Sequence, residues 1–210
     1  MDASPLDYLL VGLLSGGPRS GYDLRKQIGD SPLRIYSDSP GAIYPALRRV
    51  ARWGWVEPGP PEGPRRRRAF EVTAEGQSAF VGWLRRPVKR EDVVRGVDGL
   101  LLRFAFMGMV LSPPEVAGFL EQFESETRAH LAVLRQHHAR ESSGLPLTGR
   151  LAFEFGLADY EARIRWARKA RKELGGSRPG SAKDTVTRGR VLGRGTRPQA
   201  GLGPRKGGRS

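Results

Sequence analysis

The chain has 210 residues, 36 of them Lys or Arg against 22 Asp or Glu, which gives a formal net charge of +14. It contains no cysteine, which excludes structural disulfides, thiolate zinc sites and cysteine nucleophiles. The length allows one good domain or two small ones, each with its own buried core.

Three short helices are predicted in the first quarter of the chain. The first is built on leucines at helical spacing over Pro5–Ser15 and ends before a Gly-Gly-Pro turn. Ser20 is an N-cap for the second helix, which ends at Gly29. Ser39, followed by a proline, caps the third helix, which ends near Gly54. Its inward face is apolar and consists of Ile43, Leu47 and Val50.

A hairpin and a fourth helix follow. Trp55 and Val56 begin one strand, a Pro/Gly-rich turn and four consecutive arginines come next, and residues 69–72 alternate as a second strand should. Thr73 caps a helix that leads into a basic hinge at residues 85–90. Three helices, a hairpin and a further helix are the order of a winged helix-turn-helix domain with a two-stranded wing.

The second half of the chain is predicted to be helical. Val94–Val110 is apolar nearly all round, as expected of one buried helix, and a capping box at Ser112 and Glu115 begins a long helix that reaches about His138. A last helix spans residues 148–174. The long helix has a coiled-coil-like seam formed by Val116, Leu120, Phe123, Thr127, Leu131 and Leu134. The last helix has a stripe formed by Leu151, Phe155, Ala158 and Ala162.

The fold class predicted is therefore mainly α, with an N-terminal winged helix-turn-helix and a C-terminal helical dimerisation domain. The seam allows two arrangements, since it can join two copies or pack against the last helix of its own chain. Two copies are expected for a separate reason. The DNA site that a single winged helix can read is too short to be distinguished from the many non-specific sites of a genome. A two-fold dimer would match a palindromic operator.

Charge divides the chain into three parts, which we take as its domain organisation. Residues 1–90 carry 15 basic and 9 acidic side chains and form the DNA-binding domain, whereas residues 91–174 carry 12 of each and form the dimerisation domain. Residues 175–210 hold ten glycines and nine basic residues against one acid, which predicts a disordered basic tail. Such a tail either adds weak affinity for nucleic acid or is inert.

The third helix is the predicted DNA-recognition helix. With its apolar residues turned inward, its outward face presents Gly41, Tyr44, Pro45, Arg48 and Arg52, with Arg49 at the margin. Arginine can bond guanine or phosphate in a major groove, and a tyrosine hydroxyl can bond phosphate. A solvated arginine face on an ordinary core helix is the alternative. Pro45 breaks the rules of helix interiors, which often marks a functional position.

The hairpin tip favours the DNA-binding interpretation. Arg65, Arg66, Arg67 and Arg68 concentrate four positive charges that repel one another unless an anion neutralises them. The phosphates of DNA are such anions. Contacts between the arginines and phosphates would raise affinity more than sequence specificity, because phosphates are the same in every sequence.

Four segments resemble the phenolic-acid-decarboxylase repressor (PadR) family. They are residues 6–10 (LDYLL), 20–24 (SGYDL), 39–49 (SPGAIYPALRR) and 70–76 (FEVTAEG). The resemblance implies a homodimeric winged-helix repressor of transcription, with Tyr44, Pro45 and Arg48 in the recognition helix and Arg67 and Arg68 in the wing. It also implies that Pro45 is a family feature, and that a small, flat hydrophobic effector can release the DNA. Together with the residues above, the predicted DNA-binding set includes Ser20, Tyr22 and Ser39.

Two other functions are compatible with the basic surfaces. A sequence-independent architectural DNA-binding protein is the runner-up, and a protein-interaction adaptor is a further alternative. The sequence has no phosphate-binding glycine loop and no activated nucleophile, so we expect no enzyme, no cofactor and no metal, although three histidines share one helix. Neither a leader nor a membrane span is expected, and the chain is predicted to be cytoplasmic and associated with the nucleoid. The tryptophans that could line an effector cavity are Trp53, Trp55, Trp83 and Trp166.

Overall fold

The computed structural model describes residues 3–37, 39–62 and 67–176. Within these ranges the helices are α1 (Pro5–Leu14), α2 (Gly21–Gly29), α3 (Pro40–Arg52), α4 (Ala74–Leu84), α5 (Arg90–Arg95), α6 (Val97–Val110), α7 (Pro113–Glu141) and α8 (Leu147–Gly176). The strands are β1 (Arg19–Ser20), β2 (Val56–Glu62) and β3 (Arg67–Val72), and short 3-10 helices lie at Pro32–Tyr36 and Ser142–Gly144. The tail predicted to be disordered lies, from residue 177 onwards, outside the described residues.

The N-terminal half is the winged helix that the sequence predicts, with one correction. The β2–β3 hairpin gains a third strand, so that the antiparallel sheet has the order β1-β3-β2. Arg19 pairs with Phe70 and Ser20 pairs with Ala69. The prediction of a two-stranded wing missed β1 because a two-residue strand shows no periodicity and is defined only by the strand beside it.

α1 lies at the centre of the core. Leu9, Leu10 and Val11 are fully buried, because the helix packs against α3 and α4 on the winged-helix side and against α6 on the other. Gly12 allows the contact with α6, since a Cβ there would lie 2.8 Å from the ring of Phe106. The buried apolar residues of both halves therefore belong to one continuous core.

The apolar segment after the hinge is not one helix. The prediction of a single helix over residues 94–110 is wrong, because Gly96 separates α5 from α6. The backbone of Gly96 leaves helical geometry, with φ −126° and ψ 25°, and its N–H donates to the carbonyl oxygen of Asp92. The inner side of α6 then enters the core.

α7 and α8 form a long antiparallel hairpin within one chain. Phe123, Thr127 and Leu131 are buried on α7, as are Ile164 and Ala167 on α8. The structure therefore has the second of the two arrangements that the seam allowed, in which α7 packs against the last helix of its own chain. The predicted α8 stripe points away from this contact, and Leu151 and Phe155 remain 54% and 76% exposed.

Candidate nucleic-acid interface

The recognition helix α3 is fixed at its start and along its inner face. The Oγ of Ser39 accepts a hydrogen bond of 3.2 Å from the N–H of Gly41, so Ser39 acts as the N-cap that the sequence predicts. On the inner face Ile43, Leu47 and Val50 are at most 1% exposed. Packing of this kind leaves the outward side chains on a rigid support.

The outward face of α3 is basic and aromatic. Tyr44 is 40% exposed, and Arg48 and Arg52 are exposed one and two turns further along. Neither arginine forms an ion pair with any residue that the structure describes. An open depression of about 720 Å³ runs along this face and is lined by Pro45, Arg48, Arg49, Ala51 and Arg52. Of these arginines, Arg48 and Arg52 have guanidinium groups that are exposed to an external anion.

Pro45 lies inside α3 without ending it. The helix runs unbroken from Pro40 to Arg52, but proline has no backbone N–H, so the carbonyl of Gly41 lacks its helical donor. Gly41 is exposed at the start of the outward face.

α2 is positioned against α3 by a glycine. A Cβ at Gly21 would lie 2.7 Å from the ring of Tyr44, so only glycine lets the two helices approach this closely. Ser20 is the N-cap of α2, and its Oγ accepts from the N–H of Asp23. Tyr22 is 41% exposed and its ring lies 5.6 Å from the guanidinium of Arg25. Ser20 is buried and caps α2, whereas the side chain of Tyr22 is partly exposed beside Arg25.

Arg49, unlike its neighbour Arg48, is held by an ion pair within the fold. Its guanidinium forms a bidentate pair with Asp7 of α1, with Nη2 2.5 Å and Nε 3.1 Å from Oδ1. Asp7 is fully buried and also accepts from the backbone N–H and the hydroxyl of Ser4. Sequence reasoning missed this partner. The available signal was an acid between two apolar residues of a helix that is otherwise apolar.

Part of the predicted wing lies within the described residues. Arg68 is exposed on β3 opposite Pro61, and the backbone of Arg67 pairs with that of Glu62. Arg65 and Arg66 lie outside the described residues. The predicted set is therefore divided, with Tyr44, Arg48 and Arg52 together on one surface, Arg68 on the wing, and Ser20, Ser39 and Arg49 occupied within the fold.

The tryptophans do not surround one cavity. Trp55 and Trp83 are buried around Tyr8, and the ring of Trp83 stacks on that of Tyr8 with centroids 4.4 Å apart. Trp53 packs beside Trp55, whereas Trp166 lies in the other half between Phe104 and Phe123. Their arrangement is that of core residues.

The histidines of α7 pack on aromatic rings of α8. The ring of His130 lies 4.9 Å from that of Tyr160, and His137 and His138 lie beside Phe153. Burial lowers the pKa of His130, and the nearby charges of Arg90 and Arg163 lower it further.

Across residues 3–37, 39–62 and 67–176, no group of three or more His, Cys, Asp or Glu residues could hold a metal ion. No helix in these same ranges has the length and apolarity needed to cross a bilayer.

Comparison with family models gives two matches. Residues 10–81 match the Transcriptional regulator PadR-like family, and residues 98–175 match the family described as Virulence activator alpha C-term. The first range contains α2, α3 and the hairpin, and the second contains nearly all of α6 to α8. A search of curated proteins gives no match.

Several solved structures are similar to the chain. A PadR-like transcriptional regulator from Bacillus cereus is 24% identical, with a TM-score of 0.35, covering 82% of this chain and 98% of that one. Bacillus subtilis PadR in complex with operator DNA is 19% identical, with a TM-score of 0.39 and coverage of 80% and 97%. The same protein in complex with p-coumaric acid is 19% identical, with a TM-score of 0.39 and coverage of 82% and 99%.

Proposed function

Because residues 10–81 form a domain of the transcriptional regulator PadR-like family, we propose that the chain is a sequence-specific DNA-binding repressor that acts as a homodimer on a palindromic operator. It acts without catalysis, in the compartment that holds the DNA. A small hydrophobic effector releases it.

One observation carries this proposal, namely the outward face of α3. Tyr44, Arg48 and Arg52 share a rigid helix, and the two arginines have no ion-pair partner among the described residues. A helix of this width enters a major groove, where a guanidinium bonds a guanine edge in a bidentate manner. Arg68 on the wing then reaches the neighbouring phosphates, which fixes the register of the helix.

The homodimer is proposed from the exposed stripe on α8. Leu147, Leu151 and Phe155 are 62%, 54% and 76% exposed, and Ala158 and Ala162 continue the stripe at helical spacing. Adjacent large apolar side chains on a monomer's surface mark an interaction site. A second copy that covers the stripe would place two α3 helices on two half-sites, and its two-fold axis would match the operator.

Selection of genomic fragments tests the proposal directly. Purified protein is mixed with fragmented DNA of its source, and bound fragments are sequenced. We expect one inverted repeat, with half-sites about one helical turn apart or a multiple of it. The recovered fragment is then competed with random duplex of equal length, and we expect a preference of at least about a thousandfold.

The alternative function, that of an architectural DNA-binding protein, predicts the opposite result in this competition. Such a protein grips phosphates and bends DNA without reading bases, so random duplex would compete as well as any selected fragment. That result would contradict the proposal. Transcription from the selected promoter in vitro tests the sign of regulation, since added protein should lower the transcript yield, and a rise would contradict repression.

A further inference from the structure

α6 joins the C-terminal half of the chain to the winged helix. It packs against α1 and α4 through apolar side chains. Because the hydrophobic effect has no direction, such packing holds helices together but defines their relative angle less closely than hydrogen bonds do. Two side-chain hydrogen bonds cross the same boundary at separate places, and their donors are Tyr36 and Arg103.

The guanidinium of Arg103 is buried at this boundary. Arg103 is only 5% exposed, and no Asp or Glu among the described residues forms an ion pair with it. Its Nη2 donates to the carbonyl oxygen of Leu84 at 3.1 Å and also to that of Arg86. The guanidinium lies 5.2 Å from the ring centre of Phe119 on α7. Burial lowers the pKa of Arg103 to about 10, which leaves the group charged at neutral pH.

The acceptors of Arg103 lie where α4 ends. Carbonyls in the last turn of a helix have no donor from within the helix and carry partial negative charge. The carbonyl of Trp83 accepts from the N–H of Arg86, and that of Leu84 accepts from Arg103. A different placement of α4 would leave a buried cation without these acceptors, which is costly. The contact therefore defines how the end of α4 lies on α6.

Tyr36 makes the second link, close to the start of α3. Its hydroxyl donates at 2.5 Å to the backbone carbonyl of Asp98, in the first turn of α6. The next residue, Ser37, has φ 141°, a strained conformation that persists only where the surroundings hold it. The Oγ of Ser37 accepts from the N–H of Ser39, the N-cap of α3. Four residues thus lead from α6 to the recognition helix.

We propose that Tyr36 and Arg103 are positioning residues that set the angle of the winged helix on α6, and thereby the spacing of half-sites that the dimer accepts. The second part rests on the proposed function, in which the second copy binds through α8. A rotation of each winged helix on α6 would then move the two α3 helices relative to each other. One added base pair shifts a half-site by about 3.4 Å and turns it by about a tenth of a helical turn, so a fixed angle excludes wrong spacings.

Operator duplexes of altered spacing test the proposal with the full-length chain. Two base pairs are inserted between the half-sites of the fragment recovered by genomic selection. Spacing selectivity is the dissociation constant for this duplex divided by that for the selected fragment. We expect Tyr36→Phe and Arg103→Met each to lower the selectivity by about fivefold or more. Binding to a duplex with one half-site scrambled should not change, because α3 itself is intact.

Matched variants within the C-terminal half are the controls. Tyr160→Phe removes the hydroxyl of a ring that packs on His130. Arg163→Met removes a hydrogen bond of 2.8 Å from an arginine to the carbonyl oxygen of Val93 on α5. Both should keep the selectivity of the wild type, and an equal loss in the controls overturns the proposal.

A merely structural role gives a different result. If Tyr36→Phe and Arg103→Met lowered the melting temperature but kept the spacing selectivity, the proposal would be overturned. If Arg103→Met failed to fold, Tyr36→Phe would decide, because it removes a single oxygen atom.

A measurement without DNA separates this proposal from the proposed function. The chain has no cysteine, so Lys26→Cys on α2 and Gln136→Cys on α7, both exposed, place one spin label on each half. Pulsed electron paramagnetic resonance on labelled chains diluted with unlabelled ones gives the distribution of distances between the labels. We expect Tyr36→Phe and Arg103→Met to broaden or shift it, and the controls to leave it unchanged. An unchanged distribution in both variants overturns the positioning role, even if the chain binds no operator.

Discussion

Adjacent arginines on α3 have different surroundings and hence different expected roles. Arg48 is exposed and has no ion-pair partner among the described residues, whereas Arg49 holds the buried carboxylate of Asp7. Asp7 has no exposed surface of its own, so the guanidinium of Arg49 compensates for the loss of its hydration. We infer that Arg49 ties α3 to α1 and that Arg48 serves the DNA.

Matched substitutions of the two arginines separate these roles. Arg48→Gln is expected to weaken operator binding by about 1–3 kcal/mol and to leave the free energy of unfolding unchanged. Arg49→Gln is expected to lower the free energy of unfolding by about 1–3 kcal/mol, a range reduced because the guanidinium is about one-third exposed. Fluorescence anisotropy with labelled operator and urea denaturation measure the two quantities.

Two results would contradict this division. If Arg48→Gln weakened binding equally on operator and random DNA, Arg48 would contact phosphate instead of a base. If Arg49→Gln left the unfolding curve unchanged, the pair with Asp7 would not stabilise the fold.

At the scale of elements, the capping box at the start of α7 also forms a contact with another part of the fold. The hydroxyl of Ser112 donates to Glu115 at 2.7 Å, the backbone N–H of Ser112 donates at 2.9 Å, and Arg85 of the hinge donates at 2.9 Å. Together these hydrogen bonds, that of the Ser112 hydroxyl first, lower the pKa of Glu115 from 4.5 to about 2. The capping box therefore also joins α7 to the end of α4.

This lowered pKa predicts the direction of a pH dependence. A carboxyl with a lower pKa in the folded state stabilises the fold in full above its unfolded pKa, and the contribution is lost as pH falls from about 4.5 toward 2. Glu115→Gln removes the titrating group. We expect the melting temperature of the variant to fall less steeply than that of the wild type between about pH 5 and pH 2.5. Parallel curves in scanning calorimetry would contradict the assignment.

At the scale of the whole molecule, the α8 stripe is an exposed apolar surface of the described chain. Phe155 is 76% exposed, so its replacement removes no contact within the core. Phe155→Glu is therefore expected to leave the helix content unchanged, to convert the proposed dimer into a monomer and to lower operator affinity. Analytical ultracentrifugation and anisotropy measure the two effects.

A matched control lies on α7. Val133 is also apolar and 53% exposed but lies outside the stripe, so Val133→Glu should keep the dimer. If Phe155→Glu remained dimeric, or if both variants dissociated, the stripe would not be the specific contact.

Much of the fold followed from local patterns. Caps at Ser20, Ser39, Thr73 and Ser112 and the apolar spacing between them set the helices, since capping and amphipathicity act within one or two turns. The winged-helix order followed from these patterns, whereas the family resemblance rested on four short segments of sequence, and both are confirmed. The outward position of Arg48 could likewise be calculated from helical spacing.

The remaining features depended on contacts between distant segments. β1 exists only because β3 lies beside it, and Arg49 meets Asp7 only because α3 packs on α1. The apolar seam of α7 was compatible with a partner helix from either chain, and tertiary packing chose α8 of the same chain. The sequence by itself determined which residues cap, turn inward or face outward, because those choices are local. Only the tertiary structure decided which surfaces were already covered, because burial depends on neighbours far away along the chain.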